Sequence, residues 1–384
     1  MDHRVKNGFV VILAIVLIAS AVYFLIPHDS SSGPTSIEAH IIGFDPYGSY
    51  ALDVTEEQLH GIGADVGYDL YVDIGVERLI AIHAHDWNGV PFGTIFISYT
   101  VTTGEMVMGI FNGDIRNELE LKVGDTMEIT LKGPNKYYDH LGPYLQVFSN
   151  DRSDFGSDEI YANFRELTGG SMKSDLIYRS ASPWTTKDDR IYYVNDLCKD
   201  VGIDSLIILD IEYEKLAPKV EEHPSLYCYE LFHSGHVQAH EFYPGILSNP
   251  EDIRLFFEMI DSADGNICIA CKYGKDRTGT FCAMLQALAG ATYDDIKKEF
   301  MRSITNYYGI VEGTDAYDAV EHIYIDPFLY TILNPKVIDH YHEVDWENVD
   351  YHSFNAYEVV YSFLETNAGV DHELLDRVIE KITV

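Results

Sequence analysis

The stretch from Asn266 to Leu288 constrains this chain more than any other. Asn266-Ile267-Cys268-Ile269-Ala270 is a short apolar run, as a buried parallel strand shows. It leads into Cys271-Lys272-Tyr273-Gly274-Lys275-Asp276-Arg277-Thr278-Gly279-Thr280. Phe281 to Leu288 then continues as a helix, which Gly290 ends. Strand, short loop and helix N-terminus form an anion cradle, because loop N–H groups and the positive end of the helix dipole converge on one point. A cysteine that opens such a loop is favoured as its thiolate. Arg277, six positions later, offers a planar fork for two phosphate oxygens. Thr278 can donate its hydroxyl to the sulfur. Nucleophile, oxyanion cradle and charge clamp thus fall within eight residues.

The surroundings agree. From Ser171 onward strands and helices alternate, with Ser205-Leu206-Ile207-Ile208-Leu209 as a second buried strand and a helical pattern from Pro250 through Ile260. Lys+Arg total 26 against Asp+Glu 62, a formal charge of −36, which excludes a general nucleic-acid binder. Yet 14 of the 26 basic residues fall in 171–310, where the anion would bind. By contrast 311–384 holds 3 basic and 16 acidic residues, and is expected to present a solvated helical face.

The loop Cys-Lys-Tyr-Gly-Lys-Asp-Arg-Thr-Gly resembles the signature of the cysteine-dependent protein tyrosine phosphatase superfamily. The Lys275-Asp276 pair is similar to the microbial tyrosine and dual-specificity phosphatases that carry Gly-Lys-Asp-Arg-Thr-Gly, some of which act on phosphoinositides. The likeness extends to Ile177-Tyr178-Arg179-Ser180-Ala181, to Thr292-Tyr293-Asp294-Asp295-Ile296 with Phe300-Met301, and to a terminal helix from Gly369-Val370-Asp371 to Ile379. It covers about 170–384. There are two departures. The family usually has His before the nucleophile, where it orders the loop, and here Ala270 stands. It often has Asp-Leu-Arg after the strand at 205–209, and here the run is Asp210-Ile211-Glu212.

The resemblance implies a mostly parallel α/β sheet flanked by helices, and a phosphatase that works without cofactor or metal. Cys271 attacks phosphorus, Arg277 clamps the oxygens, a carboxylic acid protonates the leaving oxygen, and water hydrolyses the phosphocysteine. Asp276, inside the loop, is the first candidate acid. Asp210, on the same sheet edge, is the second. Lys272, Tyr273, Gly274, Lys275, Thr278 and Gly279 line the substrate site. The substrate is a phosphorylated protein, a phosphoinositide or an inositol phosphate. The alternatives are a phosphate-binding module without turnover, suggested by Ala270, and a thiol redox protein, suggested by Cys268-x-x-Cys271.

Residues 37–165 form a separate β-rich domain. Period-two alternation recurs at Leu70–Ile74, Thr94–Ile97 and Met127–Leu131. Val66-Gly67-x-x-Leu70-x-Val72-x-Ile74 and Val123-Gly124-x-x-Met127-x-Ile129-x-Leu131 resemble each other, suggesting a duplication within a small barrel. His83-Ala84-His85-Asp86 has a spacing that can hold a metal, although exposed polar residues at a strand end explain it as well. His233, His236 and His240 invite the same question. Gly8 to Ile26 carries no charge over 19 residues, and Arg4 and Lys6 precede it. That pattern predicts a single-pass membrane anchor, with 1–7 cytoplasmic, 27–36 a linker, and the domains 37–165 and 166–384 outside the cytoplasm. Five cysteines are too few for a disulfide scaffold.

Overall fold

A computed structural model describes residues 35–384 apart from 46–47, 86–89, 91–92, 101–103, 112–114, 136–140, 142–143, 147, 187, 243–246, 248, 336–343 and 347. The predicted membrane segment 8–26 lies outside the described residues. Among the described residues no helix is long and apolar enough to cross a membrane.

The first half closes into a barrel. Its strands are β1 (Ser36–Phe44), β2 (Tyr50–Leu52), β3 (Tyr68–Ile74), β4 (Glu77–His83), β5 (Ile95–Thr100), β6 (Glu105–Ile110) and β7 (Thr126–Pro134), joined in the order β1-β2-β6-β5-β4-β3-β7. Alternation drives closure. In β1 and β7 every second residue over Ile37–Ile41 and Met127–Ile129 is buried, so one face of each strand fills the lumen. The two stretches that resemble each other enter β3 and β7. Gly67 and Gly124 take φ of 92° and 93°, and the strands pair antiparallel with Leu70 opposite Leu131 and Val72 opposite Ile129.

The second half holds a five-stranded sheet of β8 (Arg165–Glu166), β9 (Ile177–Ala181), β10 (Ser205–Ile208), β11 (Val237–Ala239) and β12 (Ile267–Cys271), in the order β11-β10-β12-β9-β8. Pairings among β11, β10, β12 and β9 are parallel, and β8 is antiparallel. Helices cover both faces, which explains the unbroken apolar runs. One face, with Leu206, Ile208, Cys268 and Ala270, packs on α1 (Arg190–Val201), α2 (Tyr213–Glu221) and α3 (Tyr227–His233). The other, with Ile207, Ile267, Ile269 and Cys271, packs on α4 (Pro250–Ser262), α5 (Asp276–Leu288) and α6 (Tyr293–Tyr308). From Thr278 to Leu288 every residue of α5 is buried, so this helix is the centre of the unit.

The acidic C-terminal part corrects the expectation of a solvated face. Helices α7 (Asp326–Leu333), α8 (Ala356–Thr366) and α9 (His372–Ile382) carry Phe328, Leu329, Ile332, Val360, Leu364, Leu375, Val378 and Ile382 into the core beside α5. Their acidic residues are exposed except Asp326, which is buried and pairs with Lys297 at 3.1 Å. The π-helical turn Glu321–Ile325 presents Tyr324 to the barrel, where Phe111 stacks on it at 5.5 Å between ring centroids. Barrel and α/β unit therefore share one continuous buried apolar cluster.

Candidate active site

The loop between β12 and α5 folds as its composition requires. Cys271 ends β12 and is 4% exposed. The Gly274 N–H donates to the Cys271 carbonyl at 3.0 Å, and Gly274 has φ of 63°. A Cβ there would stand 2.2 Å from the Ser180 carbonyl oxygen, so only glycine fits. Gly279 is confined too, since a Cβ would meet Phe300 Cε2 at 2.3 Å.

The loop is held from behind. Arg179, fully buried on β9, donates from Nη2 to the carbonyls of Gly274 at 2.7 Å and Lys275 at 3.2 Å. Asn163 Nδ2 donates to the carbonyls of Tyr273 at 3.0 Å and Gly274 at 3.1 Å. Each trans peptide places the next N–H opposite its carbonyl. The Gly274 and Lys275 carbonyls fastened at the back turn the Lys275 and Asp276 amides the other way, as an anion cradle needs, while the Gly274 N–H stays with the Cys271 carbonyl. Glu299 on α6 holds the fasteners, accepting from Arg179 Nη1 and Arg165 Nε at 2.6 Å each. Burial alone would push the Glu299 carboxyl up, but the two guanidinium groups hold it below the usual carboxylate range. The ordering expected of a His at 270 falls to this network, since Ala270 points to the opposite face of the sheet.

Arg277 lies across the mouth. Its Nη1 donates to the carbonyls of Leu209 at 3.3 Å and Phe242 at 3.1 Å, at the C-terminal ends of β10 and β11. Lys272 lies 5.0 Å from the Tyr273 ring centroid, and Tyr273 packs on Tyr307 at 4.8 Å. The ammonium of Lys275 does not reach the mouth. It is buried, donates to the Tyr308 hydroxyl, and sits 4.5 and 5.4 Å from the Tyr308 and Tyr307 ring centroids. Burial disfavours its charge, yet Asp276, 3.5 Å away, and the Tyr308 and Tyr324 phenols hold its pKa well above the usual lysine value. The hydrogen bond expected from Thr278 to the sulfur is not formed, and the Thr278 hydroxyl is buried without a partner.

Asp210 follows β10 at the same edge as Cys271, because Ile208 pairs with Ala270 and the Leu209 N–H donates to the Ala270 carbonyl at 2.8 Å. Its Oδ2 accepts from Thr185 Oγ1 at 2.5 Å, while its Oδ1 is buried without a partner. Burial raises its pKa, against the Thr185 hydrogen bond and the charges of Arg277 and Lys272.

The other sequence candidates do not assemble. His83 is buried rather than exposed, its Nδ1 lies 2.9 Å from the Ala64 carbonyl oxygen, and burial lowers its pKa. Asp86 lies outside the described residues. His233 pairs with Glu221, and His240 sits between Glu212 and Asp252. Among the described residues no cluster fit for a metal occurs. Cys268 and Cys271 face opposite sides of the sheet, which removes the geometry of a redox pair.

Residues 159–383, more than half of the chain, match the tyrosine phosphatase family, and the chain belongs to it. Solved structures give weaker likenesses. An uncharacterized conserved protein from Thermotoga maritima is 18% identical with a TM-score of 0.24, over 25% of this chain and 36% of that one. The core catalytic domain of a PP-IP phosphatase from S. cerevisiae is 17% identical with a TM-score of 0.27, over 45% of this chain and 92% of that one. A PTP-like phytase from Bdellovibrio bacteriovorus is 13% identical with a TM-score of 0.27, over 61% and 91%. The chain thus spans little more than a third of the first of these, and scores this low carry no argument of their own. No curated protein matches the chain.

Proposed function

We propose that this protein hydrolyses phosphate monoesters through a phosphocysteine on Cys271. The observation that carries the reading is the fastening of the loop carbonyls by buried Arg179 and Asn163 behind a cysteine that ends β12. In the first step the Cys271 thiolate forms an S–P bond as the ester P–O bond breaks, and a carboxylic acid, Asp276 or Asp210, protonates the leaving oxygen. In the second step water attacks phosphorus, its proton passes to a carboxylate, and the S–P bond breaks to release phosphate and the thiolate. Loop amides from Lys272 to Arg277, apart from the Gly274 N–H that the Cys271 carbonyl takes, and the Arg277 guanidinium stabilise the equatorial oxygens. Tyr273, Gly274, Lys275, Thr278 and Gly279 shape the cradle, Lys275 through its backbone alone. The substrate is a phosphorylated protein, a phosphoinositide or an inositol phosphate, to be distinguished by phosphate release across such a panel. The apolar run 8–26 and the Arg4/Lys6 bias support anchoring in a membrane with the catalytic unit outside the cytoplasm.

The test is turnover of p-nitrophenyl phosphate by the purified protein. Cys271→Ser abolishes it while tungstate, an oxyanion analogue, still binds. Full activity in Cys271→Ser overturns the assignment, and tungstate binding without turnover in the wild-type protein identifies a binding module instead.

A further inference from the structure

Asp276 and Asp210 have opposite surroundings, and the contrast separates their roles. The Asp276 carboxylate faces the Lys275 ammonium, which is 2% exposed and enclosed by Tyr307 and Tyr308. A buried cation that loses its counter-ion is left uncompensated, which is strongly unfavourable. Protonating Asp276 would remove that counter-ion in every catalytic cycle. Asp210 has no such duty. Thr185 fixes one carboxyl oxygen, and the other is buried with nothing to bond. An unpartnered buried oxygen is expensive unless it carries a proton or meets a ligand. The charged groups that act on it are Arg277 and Lys272 of the phosphate loop, and its backbone bridges Glu241. Arg277 reaches the carbonyl of Leu209, the residue before Asp210.

We propose that Asp210 is the proton donor to the leaving oxygen and that Asp276 is the permanent counter-ion of Lys275. The assignment rests on the phosphocysteine reading. It also explains when the proton arrives. In the free protein the charge of Arg277 opposes protonation of Asp210. A bound phosphate neutralises Arg277 and adds negative charge beside the carboxyl, so substrate binding itself raises the proton affinity of Asp210. The O–H bond of Asp210 breaks as the leaving oxygen gains the proton. In the second step the resulting carboxylate takes a proton from the attacking water, which restores the acid.

The test compares phenyl phosphate, a poor leaving group, with p-nitrophenyl phosphate, a good one. Asp210→Asn loses ~10²–10⁴ in kcat/KM on phenyl phosphate and far less on p-nitrophenyl phosphate. It also loses the alkaline limb of the pH profile, where the wild-type acid deprotonates. Asp276→Asn loses similar factors on both substrates and melts lower. Asp210→Asn melts no lower than wild type at pH 8, because the ionised form of a carboxyl with a burial-raised pKa destabilises the fold, whereas a merely structural Asp210 would melt lower on substitution. If Asp210→Asn fails to fold, Thr185→Val decides: loss of the hydrogen bond that favours the carboxylate moves the alkaline limb to higher pH. An unmoved limb in Thr185→Val, or leaving-group selectivity confined to Asp276→Asn, overturns the proposal. Turnover retained in Cys271→Ser would instead overturn the phosphocysteine reading beneath it.

Discussion

At the residue scale the loop has two positions with no room for a Cβ, Gly274 and Gly279. Gly274 is the sharpest case, with a left-handed φ and no room for a Cβ against Ser180. Gly274→Ala must displace the loop that aims the amides. A displacement of about 1 Å in a positioned site can cost ~10² in rate. We expect at least that loss in kcat/KM on p-nitrophenyl phosphate, and wild-type kinetics in Gly274→Ala would show that the loop conformation does not matter. The grouping of Cys271, Gly274 and Arg277 was legible in the sequence because all three fall within one loop. The conformations of Lys275 and Thr278 were not. The sequence places Lys275 in the loop, but only the fold shows that Tyr307 and Tyr308 draw its ammonium away from the mouth.

At the scale of elements, β9, α6 and the phosphate loop are tied by one buried ionic network. Arg179 and Glu299 lie 120 residues apart, so no spacing rule joins them. Their signal was weaker: an arginine at the centre of the apolar strand Ile177–Ala181, and a glutamate between Ile296 and Phe300 on the buried side of α6. Because Arg179 and Arg165 depress the Glu299 pKa, the carboxylate contributes stability in full above the ordinary carboxylate range, pH ~4–5. That contribution is lost as pH falls through the depressed folded value. Glu299→Gln leaves two guanidinium groups without a counter-ion. It should lower stability by about 3–5 kcal/mol at pH 7 in urea unfolding, and flatten the acid-side loss of stability seen in the wild type. An unchanged urea midpoint would mean that the network does not hold the loop. The acidic helices α7 to α9 were misread because net charge counts every residue alike. Their periodicity, with Phe328, Leu329 and Ile332 on one side of α7, was the better guide.

For the whole molecule, the sequence distinguished a β-rich part from an α/β part, and closure of the first into a seven-stranded barrel follows from the alternation it showed. Their contact was not visible, because it depends on Phe111 meeting Tyr324 across more than two hundred positions. The proposed anchor makes a prediction at this scale. Protease added to intact cells should digest the barrel and the phosphatase unit, since both follow the run 8–26. Complete protection until lysis would reverse the orientation. The chemistry itself is tested most directly by quenched-flow mass spectrometry. Acid quenching during turnover of p-nitrophenyl phosphate should trap one phosphoryl group on the peptide that contains Cys271, and none in Cys271→Ser. A protein that turns over substrate and carries its phosphoryl group on another residue, or on none at any quench time, would contradict the account.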